Sequence, residues 1–214
     1  AVCNRKRKVP ENKVHYWPQY AESFYRPVER TELSDMPNDN KFKIAFTGNI
    51  GYAQGLDILP KTAALLKQKN VDCQFIIIGD GDKFDKIGHM IQKNNLTNVK
   101  LLGAMKNKKA LGYLKESSIF IMTSETEGLP MVLLEAFSYG VPAVCYQTDS
   151  GVSDIVDNNI NGYVIEDRNQ KEMIAKLELL MDDFKLRKSF GKDARKKSKE
   201  FSEKEVNKKW KQIL

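Results

Sequence analysis

Short apolar runs alternate with amphipathic stretches along most of the chain. Phe42-Lys43-Ile44-Ala45-Phe46-Thr47, Gln74-Phe75-Ile76-Ile77-Ile78, Val99-Lys100-Leu101-Leu102, Ile119-Phe120-Ile121-Met122, Pro142-Ala143-Val144-Cys145-Tyr146 and Tyr163-Val164-Ile165 read as strands. Runs that are apolar on both faces belong in a parallel sheet covered on both sides. Between them lie helical patterns at residues 56–69, 84–93, 108–116 and 130–139, and a single turn at 153–156. The first of these is expected to bury Ile58, Leu59, Leu65 and Leu66, and tolerates Pro60 because that residue falls in its first turn. Gly88 weakens the second. Three further helices are predicted at 168–181, 184–199 and 203–214. Alternation of this kind predicts an α/β fold with a doubly wound parallel sheet of about six strands and extra C-terminal helices. Residues 1–40 read as a lead-in that closes in a polar linker over 31–40, residues 41–167 as the α/β unit, and residues 168–214 as the C-terminal helices.

Strand after strand ends at a small residue: Gly48, Gly79, Gly103 and the pair Thr123-Ser124. In open α/β sheets a ligand lies outside the carboxyl ends of the strands, so these loops are expected to share one crevice. The stretch that follows the fourth strand carries the sharpest chemistry. Glu127-Gly128-Leu129-Pro130 leads into Met131-Val132-Leu133-Leu134-Glu135-Ala136. Pro130 suits the first turn of a helix, and Gly140 suits the residue after its end. A helix N-terminus attracts a phosphate through its free N–H groups and dipole. Carboxylates repel phosphate but accept two hydrogen bonds well, and neighbouring sugar hydroxyls offer two. Glu127 ahead of the helix and Glu135 in its second turn therefore describe a nucleotide-sugar site, although two glutamates eight apart also arise by chance on a solvated loop and helix face.

Composition narrows the picture. The 214 residues are 41% hydrophobic and no apolar run approaches a membrane span. The chain opens at Ala1 with no signal-peptide pattern, and is expected to be a segment of a longer protein. Cys3, Cys73 and Cys145 are odd in number, and the last two sit in apolar runs, which fits small core residues in a reduced, cytoplasmic setting. With only His15 and His89 and no cysteine motif, no metal site is expected, and no cofactor. The net charge of +7 comes largely from residues 185–211. That basic segment suits a solvated helix face or peripheral association with an anionic membrane. Nucleic acid is not an expected partner, because no aromatic interleaving or DNA-reading motif accompanies the charge.

The residues, taken in order, resemble a family. Phe46-Thr47-Gly48-Asn49-Ile50, Gly55-Leu56-Asp57-Ile58-Leu59, Ile76-Ile77-Ile78-Gly79-Asp80-Gly81, Glu127-Gly128-Leu129-Pro130 through Glu135-Ala136, Gly140-Val141-Pro142-Ala143-Val144 and Asn161-Gly162-Tyr163-Val164 are similar to glycosyltransferase family 4, the retaining group 1 enzymes of the GT-B fold. The resemblance implies the C-terminal, Rossmann-like, donor-binding half of a two-domain enzyme, preceded by an acceptor domain of which 1–40 would be the crossover. It implies a role for Glu127 at the donor sugar and for Glu135 at the ribose. It implies that backbone groups of Gly128, Leu129, Met131 and Val132 cradle the diphosphate, with Gly48, Gly79 and Met105 in the surrounding loops. Many members carry an arginine and a lysine in the first loop, and the matching positions here are Asn49 and Gln54.

The expected partners are thus a nucleotide-sugar donor, with UDP favoured, and a glycan or lipid-linked acceptor. The expected process is bacterial-type surface polysaccharide synthesis, with the protein cytoplasmic or peripheral at the inner membrane face. Two other readings share the fold. A nucleotide-sugar epimerase half needs acid and base groups that the crevice stretch scarcely offers beyond Glu127. A non-catalytic nucleotide-binding module fits Asn49 and Gln54 but not the intact pair of glutamates.

Overall fold

The computed structural model describes residues 42–51, 54–149 and 151–211. The expected lead-in over 1–40 and the last residues of the final helix lie outside them. The strands are β1 (Phe42–Thr47), β2 (Cys73–Ile78), β3 (Val99–Leu101), β4 (Ile119–Met122), β5 (Ala143–Tyr146) and β6 (Gly162–Ile165). They form one sheet in the order β3-β2-β1-β4-β5-β6, with every neighbouring pair parallel. This is the Rossmann-like order, and its direction reverses between β1 and β4.

The helices are α1 (Ile58–Gln68), α2 (Phe84–Lys93), α3 (Asn107–Lys115), α4 (Met131–Ser138), α5 (Val152–Ile155), α6 (Gln170–Asp182), α7 (Phe184–Lys199) and α8 (Glu203–Trp210). Successive strand side chains point to opposite faces. Ile44 and Phe46 therefore join Phe75 and Ile77 beneath α1, α2 and α6. Ala45 joins Phe120, Met122 and Cys145 beneath α3 and α4. β2, β4 and β5 are buried along their full length, as expected of a sheet covered on both sides. Cys73 and Cys145 are buried free thiols. Burial, helped by the neighbouring Asp72 charge, pushes the Cys73 thiol up to about 11, and burial raises Cys145 further still.

Several expected details are corrected. α1 starts at Ile58, and it buries Pro60 in its first turn and a face of Leu59, Thr62, Ala63 and Leu66, whereas Leu65 is exposed. Those spacings of three and four follow one face of a 3.6-residue period, and Leu65 falls outside it. Pro130 is the residue before α4, with extended backbone, and the helix begins at Met131. Arg168 does not open a helix. It closes a short 3-10 turn (Glu166–Arg168), and α6 begins two residues later, where the Asn169 side chain accepts from the N–H of Glu172. An N-terminal asparagine cap supplies an acceptor that arginine cannot.

α7 lies under the amino ends of the strands. Arg187 stacks over Phe42 at the start of β1, Phe190 packs 5.3 Å from Tyr163 near the start of β6, and the carbonyl of Gly140, ahead of β5, sits against Gly191. Its outer face carries Lys185, Lys188, Lys192, Lys196 and Lys199, all exposed. This basic stripe faces away from the carboxyl edge of the sheet.

Candidate nucleotide-sugar site

The carboxyl ends of β1 and β4 diverge at the point where strand order reverses. A cavity of about 220 Å³ opens there, walled by Gly48 and Asn49 after β1, by Gln54, by Ser124 after β4, and by Glu127 and the residues that start α4. Crevices at such reversals are where open α/β sheets hold ligands. A larger concavity of about 330 Å³ lies at the opposite, amino edge around Asn70 and Gln74. Its described walls come from the end of α1 and the starts of β2 and β3, so size alone does not mark the site.

The walls are built by close backbone approach. Gly79 follows β2 at φ 139°, its N–H donates to the carbonyl of Gly103, and a side-chain Cβ there would stand 1.8 Å from the Gly48 carbonyl oxygen. Only glycine lets the two strand-end loops lie so close. The N–H of Gly48 donates to the Ile78 carbonyl at 3.1 Å, and that of Ile50 to the Asp80 carbonyl at 2.9 Å. The loop after β1 is thereby fastened to the loop after β2.

Gln54 is held at both ends. The Thr123 hydroxyl donates to its backbone carbonyl at 2.7 Å, and the Ser124 hydroxyl donates to its side-chain Oε1 at 2.6 Å. With Oε1 occupied, the two N–H donors of the amide are what Gln54 offers the cavity. Asn49 is exposed on the opposite wall. At the floor, α4 presents the N–H groups of Met131 and Val132, which have no acceptor within their own helix. Among the described residues lining the cavity, Glu127 carries the one formal charge. It is half-buried, and its charge adds to burial in raising the Cys145 thiol.

Gly48, Asn49, Gln54, Glu127, Leu129, Met131 and Val132 thus meet in one cavity. The other expected site residues stand outside its walls. Gly79 supports the loop from behind. Gly128 turns its carbonyl onto Gly151, leaving open space where a side chain would project. Met105 packs with Ile76, Ile78 and Tyr113 under the β2 edge. Glu135 is half-buried on α4, where its charge, after burial, raises the Tyr139 hydroxyl. Sequence reasoning missed the roles of Thr123, Ser124 and Arg168. Arg168 donates from Nη2 to the Thr123 carbonyl at 2.8 Å and from Nη1 to the Ser124 carbonyl at 3.2 Å. The small polar pair ending β4 was a visible signal for the first two, whereas nothing in the motif pattern marks Arg168. Among the described residues no group of three His, Cys, Asp or Glu could hold a metal ion.

A parallel sheet in this order, covered by helices on both faces and reversing direction between β1 and β4, defines a Rossmann-like α/β domain. A family model for glycosyl transferases group 1 matches residues 30–197, and the chain belongs to that family. An uncharacterized glycosyltransferase of Haemophilus influenzae is 28% identical over 87% of this chain and 52% of its own length. The poly(ribitol-phosphate) alpha-N-acetylglucosaminyltransferase of Staphylococcus aureus is 32% identical over 72% of this chain and 31% of its own length. The chain therefore spans about half or less of these curated relatives. Among solved structures, S. aureus TarM with fondaparinux, alpha-GlcNAc-glycerol and UDP superposes with a TM-score of 0.75 at 28% identity, over 81% of this chain and 35% of that one. Anabaena HepE in complex with UDP shares the fold, with a TM-score of 0.77 at 18% identity over 92% of this chain and 55% of that one.

Proposed function

We propose that this chain is the donor-binding half of a retaining glycosyltransferase. It would move a sugar from a nucleotide-diphosphate sugar, with UDP favoured, to a glycan or lipid-linked acceptor in surface polysaccharide synthesis. The observation that carries this reading is the cavity at the β1/β4 reversal, where the α4 N-terminus, two side-chain amides and Glu127 converge. The S. aureus TarM structure that holds UDP, and the related S. aureus poly(ribitol-phosphate) alpha-N-acetylglucosaminyltransferase, support the nucleotide and the acceptor class.

Each part has a chemical task. The departing diphosphate carries the charge that grows as the glycosidic bond breaks. The N–H groups of Met131 and Val132 and the α4 dipole meet that charge with groups already in place, so nothing reorganises during the step. Pro130 contributes no N–H. The Gln54 amide, and Asn49 across the cavity, donate where many family members place cations. Glu127 accepts from donor-sugar hydroxyls and fixes the ring against the leaving group. Glu135 takes the ribose diol, reached from the second turn of α4. The diphosphate leaves without a metal ion, because its charge is met by the helix end and the amides. The acceptor is held by a domain outside this chain. An epimerase reading fits less well, since the described residues lining the cavity offer one ionisable side chain where that chemistry needs an acid and a base.

Calorimetric titration with UDP, GDP and ADP, with EDTA present, tests the reading. Saturable binding of UDP is expected, with Glu135→Ala weakening it at least about tenfold through loss of charge-assisted hydrogen bonds to the ribose. Unchanged affinity in that variant would remove Glu135 from the site.

A further inference from the structure

Arg168 stands in a conformation that its residue type rarely adopts. Its φ is 51°, in the left-handed region that disfavours any residue with a Cβ. Such backbone persists where the surroundings over-determine it. Here the surroundings are the end of β4, the end of β5 and the turn before α1, and Ser124 and Gln54 of the first and last of these wall the cavity. The guanidinium bridges the consecutive carbonyls of Thr123 and Ser124 after β4. It stacks 4.7 Å over the ring of Tyr146, which ends β5. It also lies against Gly55, where an added Cβ would stand 2.2 Å from Nη2 and 2.5 Å from the Thr123 carbonyl oxygen.

The contacts continue into the cavity without a break. The two residues whose carbonyls Arg168 holds are the ones whose hydroxyls hold Gln54, by its carbonyl and by its Oε1. A planar fork with fixed donors suits two adjacent carbonyls in a way a single ammonium cannot. Gln54 is the neutral residue at a position where the family resemblance implies a lysine. An amide donor is short-ranged and directional, so its usefulness to a phosphate depends on its orientation far more than a charge does.

We propose that Arg168 is a positioning residue for the nucleotide's diphosphate, acting through Thr123 and Ser124 to aim the Gln54 amide into the cavity. The inference rests on the donor-site reading above and deepens it. Arg168 substitutes for a missing charge by ordering an uncharged donor, and contributes its own positive charge one residue behind the cavity wall.

The test is a double-mutant cycle read by UDP titration on the whole chain, with the thermal midpoint as control. Arg168→Gly removes the clamp at a φ that glycine accepts readily, so the fold is retained. It is expected to weaken UDP about tenfold, as is Gln54→Ala. The two together should cost no more than about the larger single effect, because the amide is already released once the clamp is gone. Arg168→Lys should fall between Arg168→Gly and the wild type, and it provides the same reading should the glycine variant fold poorly. Multiplying, independent effects, or wild-type affinity in both Arg168 variants, would overturn the positioning role while leaving the donor-site reading intact. Failure of the wild type to bind UDP, GDP or ADP would overturn the donor-site reading and this inference with it.

Discussion

At the scale of single residues, two side-chain positions separate the fold from the chemistry. Gly79 is a fold residue: an added Cβ meets the Gly48 backbone oxygen, which cannot swing aside as a side chain would. Gly79→Ala should lower stability by about 3 kcal/mol, seen as an earlier midpoint in urea unfolding. An unshifted midpoint would mean that the two loops part easily. Glu127, which lines the cavity, is the residue proposed to do chemistry. Glu127→Ala should leave UDP affinity within about threefold while erasing any preference for a UDP-sugar over UDP, because its task lies at the sugar. A matched loss for both ligands would place Glu127 at the nucleotide instead. The glutamates stood out in the sequence because a helix start between two carboxylates has a defined chemical use, and of the two it is Glu127 that lines the cavity. Thr123 and Ser124 were legible only as small polar residues, since nothing local shows that their hydroxyls turn back to Gln54 across 69 and 70 residues of chain. Arg168 was not legible at all, because its partners are backbone carbonyls, which any sequence supplies.

At the scale of elements, hydrophobic runs located the six strands of the described residues, since burial on both faces leaves a mostly apolar signal. Helix faces were read less well. Leu65 looks like core by composition, but the 3.6-residue period carries it outward. The N-terminus of α1 carries a separate, testable device. Asp57 precedes the helix, and Lys86 of α2 donates to its Oδ2 at 2.6 Å. That hydrogen bond, set against the opposing effect of burial, holds the Asp57 carboxyl below its ordinary 3.8. A depressed folded-state value means a contribution that is complete above the unfolded value and lost as pH falls through the folded one. Thermal midpoints measured downward from pH 5 should therefore fall more steeply below about pH 4 in the wild type than in Asp57→Asn. Parallel curves would show that the pair adds nothing to the α1–α2 contact.

At the scale of the whole molecule, charge and chemistry sit at opposite ends. The crevice opens at the carboxyl edge of the sheet, while the lysine stripe of α7 covers the amino edge. Among the described residues no helix is long and apolar enough to cross a membrane. A membrane met by α7 would lie on the far side of the sheet from the donor, so this stripe would anchor the protein without delivering an acceptor to the cavity. Co-sedimentation should show a preference for vesicles containing anionic phosphatidylglycerol over neutral ones, lost near 0.5 M salt as the Debye length shrinks to a few ångströms. UDP affinity should be the same with and without the vesicles. Equal recovery on neutral vesicles would remove membrane attraction from the account.

The cavity between the carboxyl ends of β1 and β4 is proposed to seat a nucleotide diphosphate on the N-terminus of α4. Amide chemical-shift mapping of the chain during titration with UDP tests it most directly. The largest shifts are expected on Met131, Val132 and Gly48, with the Gln54 side-chain amide moving alongside them. Shifts centred instead on Asn70 to Gln74, at the amino edge, would contradict it.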